Sequence, residues 1–141
     1  MVRVTSSKSV NIPQETIFSV IKDVSKLPTL FPDKYKAFKI VEQSDKYILT
    51  EEILSISGKE IKQKVKHILE PNRLLKSEVI EGDTRGTILI IELNAKSPSS
   101  TEIKIDADIK FGKIGAIFGV FAKHKLKTEM DKLIDQFTIQ E

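Results

Sequence analysis

The sequence predicts a two-layer α+β domain, an antiparallel sheet of about seven strands packed on one long C-terminal helix, with two short helices after the first strand. Two observations carry this. Between residues 35 and 111 short β-prone runs follow one another at about ten to fourteen residues, too close for crossover helices, so neighbouring strands are antiparallel. From residue 113 onward the apolar period changes to that of a helix, with Ile114, Ile117, Phe118, Phe121, Leu126, Met130, Leu133, Ile134 and Phe137 forming a stripe. A sheet with one dry face and a helix with one dry stripe bury each other.

Residues 2 to 10, with Val2, Val4 and Val10 among polar neighbours, read as the opening strand. Pro13 suits a first helical turn, and Ile17, Phe18, Val20, Ile21 and Val24 recur at three and four, predicting an amphipathic helix of about three turns. Asp23 to Pro28 stops it, and Leu30, Phe31 and Pro32 form a second short helix or turn. Six strands follow, separated by Ser44-Asp45, Ser57-Gly58, Pro71-Asn72, Gly82-Asp83 and Ser97-Pro98-Ser99-Ser100. The clearest alternation is the last: Ile103, Ile105, Ala107, Ile109 and Phe111 share one face, while Glu102, Lys104, Asp106, Asp108 and Lys110 share the other, which is therefore wet. The terminal helix, about 25 residues, would extend roughly 37 Å.

The chain has 141 residues, 40% hydrophobic and 30% charged, a composition that supports one packed domain over residues 1–141 and excludes a disordered chain. It has no cysteine, which rules out disulfides, thiolate metal sites and cysteine nucleophiles. Its start carries no apolar run of signal-peptide length, and the longest charge-free apolar stretch, residues 114–122, falls far short of the roughly 20 residues of a spanning helix. A cytoplasmic location is the expectation. The net charge of +3 is spread among lysines and acids with few aromatics, so no specific nucleic acid is expected as a partner.

Two phrases, Ile12-Pro13-Gln14-Glu15-Thr16-Ile17-Phe18 and Asp23-Val24-Ser25-Lys26-Leu27-Pro28-Thr29-Leu30-Phe31-Pro32, together with the element order, resemble the START-like superfamily, also called the polyketide cyclase and lipid-transport or helix-grip group. The resemblance spans the whole chain and rests more on topology than on any single residue. It implies a curved sheet gripping the C-terminal helix, with a cavity between them for a lipid, quinone, polyketide or other apolar molecule. Coenzyme-Q-binding relatives imply a quinone or lipid; other relatives imply a cyclase or dehydratase, or a ribosome- or protein-interaction module without a ligand. Fold alone does not decide among these.

Alternation over residues 61–69 places Ile61, Gln63, Val65, His67 and Leu69 together, with Lys62, Lys64 and Lys66 opposite. Gln63 and His67 therefore face inward, where imidazole and amide can orient a ligand carbonyl and His67 can serve as acid or base; the alternative is a buried histidine satisfied by its neighbours. Arg85, after the Gly82-Asp83 turn, reads either as a polar rim beside Glu81 and Ser77 or as half of a surface ion pair. Of Glu51 and Glu52 one must face inward, and only the register decides which.

In a cavity of the implied kind, Val65, Leu89, Ile91, Ile105, Ala107, Ile109, Phe118 and Phe121 are its expected walls. Gly115, near Phe118 and Phe121, and Leu27, Leu30 and Phe31 are the expected gate, an entrance suited to transient contact with a membrane surface. Asp106 and Asp108 read as a solvated sheet face, since a third and fourth metal ligand are missing. No Gly-x-Ser-x-Gly elbow or metal-binding spacing occurs, so neither a metal nor another cofactor is expected and a hydrolase is disfavoured. A non-catalytic binder of a hydrophobic small molecule is the leading expectation.

Overall fold

The computed structural model describes residues 2–30, 32–56, 58–110, 127–128, 131–132 and 134–135, the side chains of Val2, Leu30 and Ile56 excepted. Strand β1 (Val2–Val10) leads into helix α1 (Gln14–Ile21), a single 3-10 turn (Val24–Lys26) and helix α2 (Leu27–Leu30). Six strands follow: β2 (Tyr35–Gln43), β3 (Tyr47–Ile56), β4 (Lys59–Glu70), β5 (Leu74–Gly82), β6 (Ile88–Ser97) and β7 (Ser100–Ile109). They form one seven-stranded sheet in the order β1-β7-β6-β5-β4-β3-β2, every neighbouring pair antiparallel. The meander read from the spacing is thus closed by β1, which crosses to pair with β7.

Helix α1 is shorter than its apolar period predicts. It spans 8 residues because Pro13 stands before the first turn, its carbonyl accepting from Thr16 and Ile17, and because Asp23 turns the chain after Lys22 by accepting from the Ser25 backbone N–H. Val24, read as part of its stripe, belongs to the 3-10 turn. Pro28 is accommodated in α2 because a first-turn N–H has no helical partner to lose.

The core lies on the inner face of β1, β7, β6 and β5. Val4, Leu75, Ile91, Leu93, Ile103, Ile105 and Ala107 meet Ile17, Phe18, Val20 and Ile21 of α1 there, and Ile134 joins them. Two polar ties fix α1 to the end of the sheet: Gln14 Nε2 donates to Leu93 O at 3.1 Å, and Thr101 Oγ1 donates to Ile12 O at 2.7 Å. Among the described C-terminal residues, Lys127, Thr128, Asp131, Lys132, Ile134 and Asp135 are helical. This segment is fastened along β1, where Ser6 bonds Asp131, Lys8 pairs with Asp135 at 3.1 Å and Lys127 reaches Thr5 O at 3.4 Å.

The outer face is polar where β7 meets β1. Arg3 forks onto Asp106, with contacts of 3.2 and 2.8 Å, and Thr5 adds a third donor. The hydrogen bond from Arg3 is the chief reason that the Asp106 carboxyl titrates below the usual carboxylate range; partial burial opposes it, and the positive charge of Arg3 assists. A carboxyl lowered in the folded state adds stability above its unfolded value and loses it as the pH falls through the folded value. Arg3→Ala should therefore be slightly less stable than the native chain at neutral pH, the difference vanishing in acid; urea midpoints across pH check this.

Candidate functional site

The register divides the inner face into two chemistries. Beside the apolar core lies a buried polar cluster on β3, β4 and β5, built by alternation: Ile48, Thr50 and Glu52 face inward on β3, and Gln63, Val65 and His67 on β4. Glu52 is thus the inward carboxylate, and Glu51 is exposed. Thr50 is 0% exposed, His67 3% and Glu52 4%.

The hydrogen bonds form two lines that converge on Glu52. Thr50 Oγ1 donates to Glu52 Oε2 at 2.6 Å, which leaves the threonine lone pairs for His67 Nε2–H at 3.0 Å. The other ring nitrogen, Nδ1, lies 2.7 Å from Ser77 Oγ, from which it accepts in the tautomer that carries its hydrogen on Nε2. On the other side Gln63 Nε2 donates to Glu52 Oε1 at 3.0 Å, while Gln63 Oε1 accepts from Thr84 at 3.1 Å. His67 Nε2 also lies 3.5 Å from Glu52 Oε2. Among the described residues no lysine or arginine pairs with Glu52, and its donors are neutral.

Gln63 is positioned by a close backbone approach. At Gly82, which pairs with Gln63 at φ +116, a Cβ would stand 2.2 Å from Lys62 O and 2.8 Å from Gln63 Cα, so only glycine lets β5 run this close to β4. The turn that follows brings buried Thr84 onto the Gln63 amide.

Tyr35 and Phe38 border the cluster on β2, their rings edge to face at 5.9 Å and 74°. Burial, aided by the negative charge of Glu52, pushes the Tyr35 hydroxyl far above the usual phenol range and keeps it neutral.

Each residue expected at a site has a definite place where it is described. Val65, Ile91, Ile105 and Ala107 are 3% exposed or less. Leu89 and Ile109 are half-buried against the core, as is Gln63 beside the cluster. Arg85 is exposed on the turn between β5 and β6, its backbone N–H bonded to Gly82 O. Leu27 is half-buried in α2; the Leu30 side chain, Phe31, Gly115, Phe118 and Phe121 lie outside the described residues. Both ring nitrogens of His67 have hydrogen-bond partners within the cluster, Thr50 and Ser77. Thr50, Thr84 and Tyr35 join the site without having been singled out from the sequence.

Cross-strand pairing sets Ser77 between His67 and Leu89, and Leu89 between Ser77 and Ala107, with Ile109 two residues further along the same face of β7. Ser77, Leu89 and Ile109 therefore make a half-buried strip along the border of the polar cluster and the apolar core.

Comparison with protein-family models gives no match, and none of the curated proteins matches. Solved structures do match. A START superfamily protein from Mycobacterium smegmatis has a TM-score of 0.74 at 17% identity, covering 99% of each chain. Norcoclaurine synthase from Thalictrum flavum, in complex with dopamine and hydroxybenzaldehyde, gives 0.72 at 18%, covering 99% of this chain and 85% of that one. The Zhui aromatase/cyclase of a Streptomyces species gives 0.70 at 14%, covering 98% and 87%. Likeness at these identities establishes architecture, and the chain has the START-like, helix-grip fold.

Proposed function

We propose that the protein binds a hydrophobic small molecule on the inner face of its sheet, along the strip of Ser77, Leu89 and Ile109, with the polar cluster behind Ser77 fixing the molecule's polar end. The carrying observation is the border itself. A mostly apolar surface with a few convergent, mutually ordered polar groups is what ligand sites in proteins have in common, and here Leu89 and Ile109 remain half-buried while Ile91, Ile105 and Ala107 beside them are sealed. The fold supports the reading as well, since one structure that shares it holds two small aromatic molecules. Quinones, tried also in their reduced, hydroxyl-bearing form, and lipids are the ligand classes to try first.

Leu89→Trp tests this directly. The indole would occupy the strip from its centre, so uptake of a quinone or lipid, followed by native mass spectrometry, should be lost in the variant and present in the native chain, with unchanged circular dichroism. Equal uptake by both would remove the strip from the binding surface.

A further inference from the structure

We infer that the polar end of the ligand is a hydrogen-bond donor, an O–H or N–H group on an apolar body, and that Ser77 is the residue that selects it. The inference rests on the binding site proposed above and names the chemistry that this site prefers. It follows from counting protons along the buried line. Thr50 has one hydroxyl hydrogen, and Glu52 takes it. His67 must then supply Nε2–H to Thr50; in the neutral imidazole, which carries one ring hydrogen, Nδ1 is left as an acceptor and takes the one hydroxyl hydrogen of Ser77.

Ser77 is the end of that line which is half-buried, and it stands opposite Leu89. Its hydrogen is spent inward, so what it turns toward the strip is lone pairs. A carbonyl or ether oxygen placed there meets lone pair against lone pair; a hydroxyl or amine completes the oxygen's bonding. The Glu52 carboxylate behind acts in the same direction, favouring a donor and disfavouring an anionic head such as a fatty acid's. The tautomer makes the selection a property of the whole line, because His67 is held as an acceptor toward Ser77 by two residues that never touch the ligand.

A matched set of probes with one apolar body tests this: para-octylphenol, para-octylaniline and para-octylanisole, whose heads are an O–H donor, an N–H donor and an acceptor-only ether. Isothermal titration of the full chain should show the phenol, the aniline or both binding about tenfold tighter than the anisole, the worth of one well-made hydrogen bond. In Ser77→Ala the ratio of donor to anisole affinity should fall to within about twofold, since the selecting lone pairs are gone. Phenol against aniline separates hydroxyl from amine ligands. Anisole binding as tightly as both donors, or a donor preference that survives Ser77→Ala, overturns the inference and leaves the binding site standing. Failure of all three probes to bind overturns both.

Discussion

Thr50→Val should lower the unfolding free energy by roughly 2–4 kcal/mol, far beyond what the change in shape explains, because valine is nearly isosteric with threonine but removes the hydroxyl between Glu52 and His67. Two buried groups are affected at once. Glu52 Oε2 loses its 2.6 Å donor, His67 Nε2–H loses its acceptor, and neither can turn to water, as the two side chains are 2% and 3% exposed. Their mutual distance of 3.5 Å allows some direct repair, which keeps the expected loss below that of an isolated buried charge. Thr50→Ser supplies the control: it keeps both hydrogen bonds and gives up one methyl group, at about 1 kcal/mol. Urea unfolding of the two variants separates the effects. Equal losses in serine and valine variants would show that the cluster contributes by packing alone.

Ile105→Ala should cost roughly 2–5 kcal/mol, the range for deleting a large side chain from a site that cannot collapse. Ile105 is 0% exposed and sits between Ser6 of β1 and Ile91 of β6, so both neighbouring backbones are pinned by ladder hydrogen bonds and cannot close the gap. Ile40→Ala is its counterpart. Ile40 lies on the edge strand β2 at 37% exposure, and its truncation should stay within about 0.5 kcal/mol. Chemical denaturation of both variants measures the contrast; comparable losses would contradict the placement of the core on β1, β7, β6 and β5.

How much of this was legible in the sequence differs by strand. Strand β7 announces its faces because every inward position is apolar or small and almost every outward one charged. Strand β4 is nearly as clear, since its lysines mark the outer face and so place Gln63 and His67 inside. Strand β3 is ambiguous: Tyr47, Leu49 and Ile53 share one parity, Ile48 and Leu54 the other, and adjacent glutamates occur in both. Apolar residues on both faces remove the contrast that periodicity needs, so Glu52 and Thr50 emerge only when Ile48 is seen opposite His67 and Thr50 opposite Val65. Thr84 gives no signal, because it is buried by the Gly82 turn and not by a strand. Helix α1 is shorter than its apolar period for a related reason, since that period continues through Val24 while Asp23 has already turned the backbone. The long C-terminal helix and its aromatic pair belong mostly to positions outside the described residues, where Ile134, 1% exposed in the core, is the member of the apolar stripe that can be placed.

The most direct test of ligand binding is native mass spectrometry of the protein purified gently from cells, with organic extraction of whatever accompanies it and Leu89→Trp treated in parallel. The inner-face site predicts an apolar molecule bound near one per chain in the native protein and missing from the variant. A bare mass for the native protein, unchanged after incubation with quinones, lipids and alkylphenols, would contradict it.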